Sequence, residues 1–326
     1  MKKRKRCSKE CCDACRYRQN CGSCYGEGCA WEFCKENCAS CHSLCWKSRI
    51  APSFHFSIMA LSSLDSSHRY IPVIRKSPLI KSLTPADCPC VMIRFSDIYS
   101  LSSNTVTTND LYDFFELDRR IKTIVNFCME DYKLDRIWKE YSKRLTYEGR
   151  RFMLGIKGLN CTLICSPNFS NWFQSPRYGC IRNISRSIQM ANEFLKAGKQ
   201  IIFDVSSPTQ FSHAFYCNIL KTFSTGTIAI NCQTVKTAIA RKLTLERIEY
   251  LHSHLALGIS FLIIGLRNPE RLKITNRKFY VASSSALLKT YFGERNDLIP
   301  RSPTVDDFKR SIRRYESGLH DGQIQA

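Results

Sequence analysis

The 326 residues carry 49 Lys and Arg against 28 Asp and Glu, a formal net charge of +21, and 44% of them are hydrophobic. That apolar share excludes general disorder and supplies a sizeable core, and the length admits one large domain with a small appendage or two modest ones. The basic excess points to a polyanionic partner, nucleic acid before anionic membrane, and the longest apolar run, LALGISFLIIGL at 255–266, falls short of the roughly 20 residues that span a bilayer.

Eleven of the nineteen cysteines lie in the first 45 residues: Cys7, Cys11, Cys12, Cys15, Cys21, Cys24, Cys29, Cys34, Cys38, Cys41 and Cys45. The start MKKRKRCSKECC has no apolar stretch behind its positive charges, so it does not read as a signal peptide. The thiols are therefore expected to be reduced and the protein cytoplasmic. Three Cys-x-x-Cys pairs occur, at 12/15, 21/24 and 38/41, and the last two are separated by thirteen residues, a zinc-ribbon-like spacing. Two residues between thiolates let a tight turn aim both sulfurs at one ion, and a second pair completes a tetrahedral site. Residues 1–49 contain too little aliphatic surface to offset chain entropy, so cross-linking by metal is what would fold them.

These cysteines are accordingly expected to form a small metal-binding module, with zinc as the first choice and an iron–sulfur cluster as the alternative. The segment CKENCASC resembles, in spacing, the Cys-x3-Cys-x2-Cys motif of radical S-adenosylmethionine enzymes. Ser40 stands where that motif usually has an aromatic residue, and the segment precedes the first strand instead of following it. Lys2, Lys3, Arg4, Lys5 and Arg6, with Arg16 and Arg18 interleaved among aromatics, suit nucleic acid, because basic groups pair phosphates while aromatic faces stack bases.

From 50 to 89 five prolines interrupt a Ser-rich stretch, which reads as a connecting segment over a domain surface, with one candidate short strand at YIPVI, 70–74. From 90 to 299 short apolar runs alternate with amphipathic ones. Strands are predicted at 91–95, 123–128, 161–166, 200–205, 227–231, 259–265 and 278–284, with helices from Leu134, Asn183 and Leu243 between them. The alternation predicts an α/β fold with a parallel sheet, a complete or incomplete TIM-like barrel, with an open doubly wound sheet as the runner-up. Residues 300–326 read as a peripheral tail holding one more amphipathic piece, VDDFKRSIRRYESG.

In a parallel sheet, functional groups collect just past the carboxyl ends of the strands. The candidates there are Asp97, Glu130 with Asp131, Ser166 with Asn168, Asp204, Asn231 with Gln233, and Arg267 with Asn268. Asp131 and Asp204 are the candidate catalytic acids, and Asp204 leads because it directly follows the apolar run QIIF. His252 and His254, two apart, cannot share a helix face as paired metal ligands. Walker, dinucleotide-fingerprint and nucleophile-elbow motifs are absent from the sequence.

Between Cys128 and Gly265, the turn Ser166–Ser170, Pro176, Asn183 with Arg186, Gly198 and the loop from Ser206 together resemble an uncharacterised family of bacterial, phage and mobile-element proteins, a domain of unknown function. That family usually has an acid where this chain has Asn168. The resemblance implies a βα, barrel-like fold and mobile-element biology, and carries no reaction with it. Two functions are thus expected in order: a metal-containing nucleic-acid-binding protein, or a barrel enzyme acting on a nucleotide or nucleic acid.

Overall fold

A computed structural model describes residues 57–127, 129, 131–142, 147–169, 177–205, 210–233, 237–265, 278–292 and 303–324. The eleven N-terminal cysteines and the basic residues beside them lie outside the described residues. Eight parallel strands close into a barrel in sequence order: β1 (Tyr70–Ile74), β2 (Cys90–Arg94), β3 (Lys122–Asn126), β4 (Leu163–Cys165), β5 (Ile201–Asp204), β6 (Thr225–Asn231), β7 (Gly258–Ile264) and β8 (Phe279–Ser283), with β8 pairing back to β1. A two-residue hairpin pair, Tyr99–Ser100 with Thr105–Val106, lies outside the barrel. The helices among the described residues are α1 (Leu111–Phe115), α2 (Asp131–Ser142), α3 (Tyr147–Gly158), α4 (Arg177–Lys196), α5 (Gln210–Leu220), α6 (Ala238–His254), α7 (Ser285–Phe292) and α8 (Val305–Ile324).

The barrel is complete, and its stagger follows from the strand registers. Starting at Arg94 and stepping between hydrogen-bonded neighbours leads through Asn126, Cys165, Ile202, Thr227, Ser260, Lys278 and Ser67, and arrives at Ala86, eight residues before the start. A shear of eight on eight strands tilts them so that side chains from alternate strands meet at one height. The interior therefore stacks as Cys90, Leu163, Thr227 and Tyr280, then Ile71, Ile124, Ile202 and Leu262, then Met92, Cys165, Ala229 and Ala282, and at the carboxyl end Val73, Asn126, Asp204 and Ile264. The opposite faces of the same strands, including Phe203, Ile230 and Phe261, pack under the helices. Burial on both faces explains why these strands read as unbroken apolar runs.

The interval 57–89 is not a surface connection. YIPVI is β1, a barrel strand hydrogen-bonded to both β2 and β8, and the residues before it close the amino-terminal end of the barrel. Ser62 inserts between β5 and β6: its N–H donates to the Ile201 carbonyl (2.9 Å), its own carbonyl accepts from Thr227 N–H (2.9 Å), and its Oγ accepts from Ile201 N–H (2.8 Å). Leu64 plugs the interior below Tyr280, donating its N–H to Thr227 Oγ1 (2.7 Å) and accepting from the Tyr280 hydroxyl. Leu61 presses on Gly226, where φ is +134° and an added Cβ would come within 2.7 Å of the Leu61 Cβ. Replacing Gly226 by Ala combines left-handed strain with overpacking and is expected to destabilise by about 2–4 kcal/mol in urea denaturation. Gly318→Ala in α8, with open space around it, should be neutral or stabilise by up to about 1 kcal/mol.

Nor does 303–324 form a peripheral tail. Helix α8 packs on α7 and β1 and buries Phe308, Ile312 and Leu319. The Glu316 carboxylate accepts the N–H groups of Arg69 (2.8 Å) and Tyr70 (2.6 Å) at the head of β1, and Tyr315 stacks on Tyr70 at 4.9 Å. Asp87 is held by Lys309 (2.9 Å) and Arg313 (3.3 Å) of the same helix; burial opposes its ionisation, but the Lys309 ammonium and the Thr84 hydroxyl and N–H outweigh that and lower its pKa. No helix among the described residues is long and apolar enough to cross a membrane.

Candidate active site

Alternation along β5 decides what Asp204 faces. Ile201 and Phe203 pack outward into the helical layer, whereas Ile202 belongs to the barrel interior, so Asp204 projects inward above it. Its side chain is 1% exposed, and its backbone N–H donates to the buried Ser166 Oγ (2.9 Å) at the end of β4. Burial pushes the Asp204 carboxyl up to about 7; the Arg247 guanidinium of α6 and the Asn168 amide pull the other way and only temper the rise. Neither carboxyl oxygen has a donor at hydrogen-bond geometry among the described residues.

Around this acid lies a polar arc. Asn126, 1% exposed, shares the Asp204 layer, and in the half-layer above come Arg94 from β2 and Asn231 from β6. Arg94 is engaged by Asp97 through two hydrogen bonds, at 3.1 and 2.5 Å. Arg247, itself buried, donates to the Asn231 carbonyl at 3.4 Å. Burial pushes the neighbouring Cys232 thiol up to about 11, leaving it protonated and a poor nucleophile. Among the described residues, Val73 and Ile264 complete the Asp204 layer with apolar side chains, and Ala282 lies just below.

Two loops are tied at this end of the barrel. Asn231 Oδ1 accepts from Gln233 N–H (2.9 Å), and Gly265, at φ +79°, lies so close that a Cβ would come within 2.5 Å of Gln233 Cγ. Beside β4, Arg186 of α4 lies over the Phe169 ring (3.9 Å) and near Trp138 (5.0 Å), ion-paired to Asp135 at 2.6 Å and donating to Asn183 Oδ1 at 3.2 Å. This guanidinium clamps the loop carrying Ser166 and Asn168 onto α2 and α4, and gives Asn183 and Arg186 a positioning role.

Of the sequence candidates, the barrel brings together Ser166, Asn168, Asp204, Asn231 and Gln233. Asp97 is instead turned into its ion pair with Arg94. Asp131 is the first residue of α2, and the placement of its carboxylate lies outside the described residues, as do Glu130, Arg267 and Asn268. Sequence reasoning passed over Asn126, although a polar residue closing the buried run TIVN is the same signal that marked Asp204. It also passed over Arg247, which nothing local distinguishes from other helical arginines. His254 bonds to the Tyr250 carbonyl (2.8 Å) and Ser253 Oγ (2.9 Å) at an exposed helix end. Among the described residues no group of three His, Cys, Asp or Glu could hold a metal ion.

Compared with protein-family models the chain matches none, and it has no significant match among curated proteins.

Proposed function

We propose that the chain is a (β/α)8-barrel enzyme that transfers a proton through Asp204 to or from a small polar substrate of nucleotide type. One observation carries the reading: a carboxyl almost wholly removed from water, at the carboxyl end of a barrel strand, whose oxygens meet no donor at full hydrogen-bond geometry among the described residues, the Asn168 amide coming only near enough to temper its pKa. Leaving such a group unpaired costs about 1–3 kcal/mol or more, a cost that function explains better than stability does. A pKa near 7 suits a group that must hold and release a proton at neutrality. Asn126, Asn168 and Asn231 would orient the substrate, and Arg247 would restrain the charge on Asp204. The test is to incubate the full chain with nucleobases, nucleosides and nucleotides and follow products by mass spectrometry. Turnover by the native chain and its loss in Asp204→Asn support the reading, and undiminished turnover in the variant overturns it.

The N-terminal cysteines support a second, compatible part of the proposal: a metal module, zinc before iron and sulfur, whose basic flank engages nucleic acid. The density of Cys-x-x-Cys pairs favours it. A colourless, anaerobically purified protein with stoichiometric zinc is expected; a brown protein with acid-labile sulfide would replace zinc with a cluster, and metal-free protein would remove the module. Affinity for DNA or RNA should fall steeply with salt.

A further inference from the structure

Among the described residues, the polar arc around Asp204 includes a set of buried hydrogen-bonding groups without a partner. Asn231 commits its Oδ1 to Gln233 N–H, while its Nδ2 is buried with no partner among the described residues. Asn168 keeps a buried Oδ1 in the same condition. With them is the Asp204 carboxyl, a donor when protonated and an acceptor when not. The site thus offers an unused donor, an unused acceptor and a group able to serve as either. Its two cations are already engaged: Arg94 donates two hydrogen bonds to Asp97, and Arg247 donates to the Asn231 carbonyl and faces the Asp204 carboxyl.

Resting on the acid–base reading above, we infer that the site receives an uncharged amide edge, –CO–NH–, carried by a planar ring. The ligand carbonyl, with two lone pairs, accepts from both Asn231 Nδ2–H and protonated Asp204, and the ligand N–H donates to Asn168 Oδ1. Each of the three side chains then gains a partner, which lowers the cost of keeping them desolvated. A carboxylate of the same shape sets acceptors against Asn168 Oδ1 and a partly ionised Asp204, and is rejected. The ring requirement comes from the other half of the rim, where Val73, Ile264 and Ala282 offer an apolar wall and no hydrogen-bonding side chain.

The test uses three probes on the full chain, with binding read by ligand-detected NMR and calorimetry at pH 7: uracil, whose amide edge lies within the ring; nicotinamide, whose amide is a substituent; and nicotinate, the carboxylate counterpart of nicotinamide. Uracil or nicotinamide should bind at least tenfold more tightly than nicotinate. A preference for uracil places the edge in the ring, and a preference for nicotinamide places it outside. Asn231→Asp keeps the Gln233 contact but removes the donor, and should weaken the amide probe about tenfold; Asn168→Asp, which puts a charge in place of the acceptor, provides an independent variant of similar expected effect. Equal binding of nicotinate, failure of both amides to bind, or insensitivity to both variants overturns the inference. A carbon-13 titration of the Asp204 carboxyl separates the two levels: an apparent pKa near 7 with no amide binding sinks the amide edge alone, whereas an ordinary carboxylate pKa sinks the acid–base reading as well.

Discussion

Replacing Asp204 with Asn is expected to make the protein more stable above neutrality, by on the order of 2–4 kcal/mol at pH 8, with the gain shrinking toward zero near pH 4. The sign follows from proton counting. The unfolded chain releases this proton near 3.8, whereas burial holds it in the folded state up to about 7. Between those values the folded state binds more protons, so native stability falls as pH rises through the window. Below it both states are protonated and the penalty is absent; above it the penalty is complete, on the order of 4 kcal/mol for a shift of this size. Asn keeps the shape and removes the ionisation. Denaturant unfolding of both proteins from pH 4 to 8 checks the expectation, and a pH-independent difference between them would sink it. A residue whose removal both stabilises the fold and abolishes activity is maintained for chemistry.

Replacing Glu316 with Ala should cost about 3 kcal/mol or more, a large effect for a surface helix near the chain terminus. Both oxygens of this carboxylate accept backbone N–H groups from the start of β1, at 2.8 and 2.6 Å. Hydrogen bonds to a charged group contribute roughly 1.5–3 kcal/mol each, and deletion strands both donors where the barrel closes. Truncation before Val305 should be more severe, because it also exposes Tyr70 and the faces covered by Phe308, Ile312 and Leu319. Loss of cooperative thermal unfolding in the truncated chain, and a lowered midpoint with unchanged slope in Glu316→Ala, are the expected readouts. A truncated chain that unfolds like the native one would show that α8 does not complete the barrel.

The two boundary corrections share a cause. YIPVI reads as a short strand, but nothing local places it in the barrel; in the fold it is held by its neighbours and by Glu316, more than 200 residues away. The amphipathic piece after Pro300 was legible as a helix, but its docking partner is β1, at the other end of the barrel sequence. Local pattern reports that a face is apolar and is silent on which distant surface covers it.

For the candidate site, the amino-acid sequence by itself determined the element types and the leading acid. Runs such as QIIFDV and TIVN are apolar on both faces, as strands buried between helices and a barrel interior must be, and a carboxylate ending such a run has nowhere solvated to go. Tertiary structure alone decided its company. Asn126 and Asp204 lie 78 positions apart and meet at one height because eight strands close with a shear of eight, a property of the whole circuit that no segment encodes. Arg247 reaches the site only because α6 carries its guanidinium to the Asn231 carbonyl at the end of β6. Periodicity is written residue by residue, whereas closure, stagger and burial arise only when every strand has found its neighbour.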